Sequence, residues 1–133
     1  MFDRILVPTD RSDPARRALA QAADLADRYD ATVTVLHVVD TRELDSDDGV
    51  DEHTETARTE LVAALDDLDT DPTPEAAVRA GIPSETILDY ADESGIDLIV
   101  MGTHGRTGVR RYLLGSVTEK VVRLSDIPVL SVH

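Results

Sequence analysis

At 133 residues the chain has the length of one domain, expected to span 1–133, and can bury most of the surface its unfolded form exposes. Its 27 acidic and 13 basic residues give a net charge of −14, which argues against nucleic acid as a partner, since duplex binding rests on phosphate neutralisation by Lys and Arg. The absence of cysteine excludes a disulfide framework and a thiolate metal site. Asp3 and Arg4 interrupt any apolar leader, and no apolar run approaches the ~18 residues of a membrane span, so no membrane partner and a cytoplasmic location are expected.

Ile5-Leu6-Val7, closed by Pro8, reads as a short buried strand. In the following Thr9-Asp10-Arg11-Ser12-Asp13-Pro14, Asp13 suits a helix N-cap with proline at the first helical position. Ala15, Ala18, Leu19, Ala22, Ala26 and Tyr29 then recur at helical spacing. Thr32-Val33-Thr34-Val35-Leu36-His37-Val38-Val39 is the strongest strand signal, β-branched and almost wholly apolar, as suits a strand covered on both faces. Residues 40–50 are polar and acidic and are expected to form a mobile loop. A helix is predicted over 54–68, with Ala57, Leu61, Ala64, Leu65 and Leu68 on one stripe, and Asp71-Pro72-Thr73-Pro74 forbids its continuation.

Residues 76–80 form a weaker strand candidate ending at Gly81. Pro83 and Ser84 open a helix that turns Ile87, Leu88 and Ala91 inward and stops at Gly95. Residues 98–101 are a fourth strand, a glycine-punctuated segment leads into a helix carrying Val117, Val121 and Leu124, and residues 128–132 are a fifth strand whose Pro128 suggests an edge. Strands alternating with helices imply a single doubly wound parallel sheet, Rossmann-like, with helices on both faces. Ligands bind such sheets beyond the carboxyl ends of the strands, where the strand order reverses. If the fourth strand returns beside the first, the Thr9-Asp10 loop and the Gly102 loop become neighbours there.

The glycines at Gly102, Gly105 and Gly115-Ser116 match neither the Walker pattern nor the dinucleotide fingerprint. By themselves they fit a turn and a helix start as well as they fit a phosphate cradle. Arg106, Arg110 and Arg111, with Ser116 and Thr118 expected at the helix start, point to an anion. Residues 102–133 carry five basic and two acidic groups, whereas residues 40–71 carry two and thirteen, so the glycine segment is a basic island. Asp10, just past a buried strand, is placed to accept from a sugar hydroxyl or an adenine amino group, or to lie near a metal. Val38 reads as pocket wall, His37 as a satisfied core histidine, and His104 as a solvated loop residue. The run 45–51 lacks the order of a calcium loop and reads as solvated surface. Lys120 is the sole lysine, and an acidic, lysine-poor surface suits a protein that works in concentrated salt.

These residues resemble the universal stress protein family along nearly the whole chain. The likeness rests on Ile5-Leu6-Val7-Pro8-Thr9-Asp10 with Ser12, Leu36-His37-Val38-Val39, Gly81-Ile82-Pro83, Asp97-Leu98-Ile99-Val100-Met101-Gly102 and Pro128-Val129-Leu130. Within that family the spacing G-x2-G-x9-G-[ST] marks the branch that binds ATP, and the chain carries it. The resemblance implies a five-stranded sheet of order 3-2-1-4-5, of the adenine nucleotide alpha hydrolase-like kind. It implies that Asp10 and Val38 flank the adenosine, that Met101 and Gly102 meet the ribose side, and that Gly105, Gly115, Ser116 and Val117 cradle the phosphates. Pro8, Thr9, Arg106 and Thr118 complete the expected binding set. ATP, with AMP and ADP as further candidates, is the expected ligand, and Mg²⁺ would arrive on its phosphates rather than on a protein metal site. The resemblance also implies a homodimer, for which the edge strand Val129 to Val132 is suited. Nucleotide-dependent sensing or signalling in a stress response is the expected role. A slow ATPase or phosphoryl-transfer enzyme and a non-catalytic dimeric assembly module with a vestigial pocket are the alternatives.

Overall fold

The structure, a computed structural model, describes residues 2–44, 49–68, 70, 72–103 and 110–133, with 110–115 as backbone only. Five strands, β1 (Arg4–Pro8), β2 (Thr32–Asp40), β3 (Glu75–Gly81), β4 (Leu98–Gly102) and β5 (Val129–Val132), form one parallel sheet of order β3-β2-β1-β4-β5. Between them run helices α1 (Asp13–Tyr29), α2 (Val50–Asp66), α3 (Pro83–Glu93) and α4 (Arg110–Leu124).

The central strands are apolar on both faces because both faces are covered. Alternate residues of β1 and β4 divide between two cores. Ile5, Val7, Leu98 and Val100 pack with Ala18 and Ala22 of α1 and Leu61 and Leu65 of α2. Leu6, Ile99 and Met101 pack on the other face with Ile87 and Ala91 of α3 and Val121 of α4. β1 keeps register with β2 over five residue pairs, from Arg4 opposite Thr32 to Pro8 opposite Leu36. With β4 it pairs only through Ile5 opposite Leu98 and Leu6 opposite Ile99. A crevice therefore opens beyond Leu6 and Ile99, at the point where the strand order reverses.

Several element ends differ from the sequence expectation. The N-cap of α1 is Ser12, whose hydroxyl accepts from the Ala15 N–H at 3.3 Å, and Asp13 opens the first turn. Residues 41–43 form a 3₁₀ turn rather than open loop, started by an Asp40 carboxylate that accepts from the Arg42 N–H. α2 begins at Val50 instead of Thr54, and its outer residues Ala64 and the following Leu68 face solvent rather than the core. Leu124 is likewise exposed. Gly95, at φ 65° just past α3, holds the left-handed conformation of a helix-stopping glycine. α4 starts at Arg110, so Gly115-Ser116 lie in its second turn and not at its beginning. A helix leaves only its first four N–H groups unpaired, so the proposed anion cradle at the Ser116 backbone is not formed there. β5 pairs with β4 alone and is the edge strand, as its proline suggested.

Candidate functional site

A cavity of about 440 Å³ occupies the crevice. It brings together Pro8, Thr9 and Asp10 after β1, Val38 of β2, Met101 and Gly102 of β4, and Ser116, Val117 and Thr118 of α4. Gly105 and Arg106, like His104, lie outside the described residues, and Gly115 falls in the part of α4 described as backbone. Leu36, Val38, Ile87, Met101 and Val117 give the cavity an apolar wall, and Asp10, Asp40, Arg42 and Ser116 place polar groups on its border. An apolar cavity of this size with a few convergent polar groups is the usual form of a small-molecule site.

Asp10 is held from its own loop. Its Oδ1 accepts from the Ser12 N–H at 2.9 Å, which leaves Oδ2 to accept from a ligand. The start of α1 beside it offers few free donors: Pro14 has no N–H, and that of Ala15 goes to the Ser12 hydroxyl. Asp10 thus puts a carboxylate on the β1 side of the cavity, which suits a hydroxyl or amino donor.

Gly102 has a structural duty that its glycine spacing did not reveal. A Cβ built there would lie 2.6 Å from the Pro14 carbonyl carbon and 2.8 Å from the Ala15 nitrogen. Only glycine lets the first turn of α1 sit against the end of β4. Thr118 also differs from expectation. Its side chain is buried, and its hydroxyl donates to the Gly102 carbonyl at 2.9 Å, so it ties α4 to β4 instead of presenting a donor at a helix start.

Of the lining residues that the sequence did not mark as site residues, four carry charged or titratable groups. Asp40, Arg42 and Glu43 fall in the segment expected to be a mobile acidic loop, yet they border the cavity because β2 runs on to Asp40. The Asp40 carboxylate takes a forked pair of hydrogen bonds from Arg42 Nε at 3.0 Å and Nη2 at 2.9 Å, which holds its pKa below the ordinary carboxylate range. The fourth is His37. It is half-buried, lines the cavity, and also lines a second hollow of about 570 Å³ between β2 and α2. Its buried Nδ1 has no hydrogen-bond partner among the described residues, so the ring is not the fully satisfied core histidine expected. Burial lowers its basicity, the Thr9 backbone opposes that effect, and Arg11 reinforces it. Among the described residues no group of three His, Cys, Asp or Glu side chains is arranged to hold a metal ion, and no helix is long and apolar enough to cross a membrane.

A doubly wound parallel sheet of order 3-2-1-4-5 with an open cavity at its switch point defines the structural class. The chain belongs to the universal stress protein family, which matches residues 1–133. It is 33% identical to universal stress protein MJ0577 of Methanocaldococcus jannaschii, across 99% of this chain and 95% of that protein. The solved structure of MJ0577 superposes with a TM-score of 0.85, covering 99% of this chain and 96% of the other. Universal stress protein UspA from Lactobacillus plantarum follows at a TM-score of 0.78 and 32% identity, covering 99% and 98% of the two chains. A universal stress protein solved in complex with cAMP is similar at a TM-score of 0.72 and 26% identity, with coverage of 99% and 97%.

Proposed function

We propose that this chain binds an adenine nucleotide, ATP foremost, in the cavity beyond β1, β2 and β4, and that occupancy of the site serves sensing or signalling in a stress response. The observation that carries the proposal is the convergence of Asp10, Val38, Met101, Gly102 and Ser116 on one cavity from four separate elements. The complex of a related protein with cAMP supports the ligand class.

Strand order supports an orientation. The sheet places β2, β1 and β4 side by side in that sequence, and a nucleotide places base, sugar and phosphate side by side. With the base over the Val38 end of β2, the sugar falls over β1, where Asp10 Oδ2 accepts from a ribose hydroxyl. The phosphates then run towards β4 and α4, away from the Asp10 carboxylate and towards the part of the sequence richest in basic residues. Mg²⁺ enters this proposal only as a companion of the phosphates, since the described residues hold no metal cluster.

Calorimetry with millimolar Mg-ATP tests the assignment. Binding is expected, and Asp10→Ala is expected to weaken it by about tenfold, the loss of one charge-assisted hydrogen bond. No heat of binding by the wild-type chain would leave the assembly module as the remaining role. The assembly itself is proposed to be a homodimer through β5, whose outer edge has no strand partner among the described residues and whose Leu130 is exposed. A monomer mass by light scattering at the concentrations used for calorimetry would remove it.

A further inference from the structure

Arg11 has φ 65°, a left-handed conformation that costs a residue with a side chain about 1–2 kcal/mol. The other such residue among those described, Asp30, caps the end of α1, where this conformation is ordinary. Arg11 stops no helix. It sits in the short turn between Asp10 and Ser12 on the cavity border, and strain in such a place calls for a reason.

The turn is held from two sides. From within, the Thr9 hydroxyl accepts from the Arg11 N–H at 3.0 Å, and Asp10 Oδ1 accepts from the Ser12 N–H at 2.9 Å. From outside, Arg11 Nη1 lies 3.2 Å from Oε2 of Glu60, on α2 and 49 positions away. Ion pairs such as Arg16 with Asp13 and Arg28 with Asp24 stay within one helical turn, so they fix nothing beyond their own helix. The Arg11 side chain thus points away from the cavity and pins the turn to the neighbouring helix beside His37. If Arg11 relaxed to negative φ, the Ser12 N–H would swing off Asp10 Oδ1 and the carboxylate would lose its fixed orientation.

We infer that Arg11 and Glu60 are positioning residues: through the strained turn they aim the Asp10 carboxylate, so α2 helps to set how strictly the cavity reads the sugar of its ligand. The inference rests on the nucleotide proposal above and adds to it a residue on an element that does not reach the cavity. An exposed ion pair is worth about 0–1 kcal/mol and shares with the hydrogen bonds of the turn the work of holding the strain, so its removal changes orientation without unfolding the chain.

The test uses the full chain and two ligands, ATP and 2′,3′-dideoxy-ATP, with dissociation constants measured by calorimetry. Wild type is expected to prefer ATP by about tenfold or more, as befits a hydroxyl read by a carboxylate. Arg11→Ala keeps the strain and loses the tether, and should lower that preference by about threefold while leaving affinity for the dideoxy ligand unchanged. Glu60→Gln should lower it in the same direction. Arg11→Gly removes both strain and tether, and should restore most of the preference, because glycine adopts the left-handed turn without penalty. An unchanged preference in Arg11→Ala, or in Glu60→Gln, overturns the inference while leaving the nucleotide proposal standing. Loss of the preference in Arg11→Gly as well as Arg11→Ala also overturns it, since the side chain itself would then act on the ligand. Failure of the wild-type chain to bind either ligand removes the nucleotide proposal, and this inference with it.

Discussion

The turn after β1 and the segment after β4 leave neighbouring strands at the same end of the sheet, and their sequences differ in kind. The first is four residues long, carries one carboxylate and one guanidinium, and is held by hydrogen bonds that the side chains of Thr9, Asp10 and Ser12 accept from backbone N–H groups. The second spans Thr103 to the start of α4 at Arg110 and carries Gly105, Arg106 and Gly108, with Arg110 and Arg111 following. A preformed carboxylate suits a neutral hydroxyl donor, whereas a glycine-rich basic stretch suits an anion. The difference between the two turns gives the cavity a direction.

The largest expected effect breaks the contact between the end of β4 and the first turn of α1. Gly102→Val puts a branched side chain where even a Cβ would meet the Pro14 carbonyl carbon at 2.6 Å, and backbone cannot step aside as a flexible side chain would. Overpacking of this kind costs about 1–3 kcal/mol or more. The melting temperature should fall by roughly 3–10 °C, and nucleotide binding should fall with it because α1 is displaced from β4. Unaltered melting would mean that α1 and β4 do not approach as closely as the structure has them.

Thr118→Val is expected to have a smaller effect and to separate a structural tie from a phosphate donor. The buried hydroxyl donates to the Gly102 carbonyl, so its removal should cost about 1 kcal/mol of stability at nearly constant volume. Affinity for ATP relative to adenosine should not change. A fall in ATP affinity with no change in melting would restore Thr118 to the phosphate side.

The sequence exposed the topology because every strand between two covering layers is a dense apolar run, as in Ile5-Leu6-Val7 and Val33 to Val39, and alternation with helices leaves few parallel arrangements. Helix starts were harder. In Ser12-Asp13-Pro14 either polar residue can cap, and the choice depends on whether proline takes the first or the second helical position. Gly115 looked like a helix start because glycine costs about 1 kcal/mol in a helix interior, yet the good helix formers Arg110, Arg111, Leu113 and Leu114 precede it and carry α4 across it. The candidate site was legible wherever a residue stands directly at a strand end, as Asp10 and Met101 do. His37 and Arg42 were not, because their place depends on how far β2 continues and on what α2 leaves uncovered, which no local pattern encodes.

The smallest expected effect concerns His37 and distinguishes the rigid β1 turn from its surroundings by pH. Burial holds its imidazole below the ordinary 6.5, helped by Arg11 and opposed by the Thr9 backbone, Asp10 and Glu60. The unfolded chain therefore binds the proton more readily than the folded one. As pH falls below about 6.5 the unfolded state is favoured progressively, until the folded imidazole also protonates and the loss levels off. His37→Gln removes this contribution. The difference in melting temperature between wild type and His37→Gln should accordingly be flat from pH 8 to pH 7 and shift against the wild type between about pH 6.5 and pH 5. Because an imidazolium there would also press on Arg11, the wild-type preference for ATP over its dideoxy analogue should narrow over the same interval. A difference that stays flat through pH 5 would mean that the imidazole is solvated.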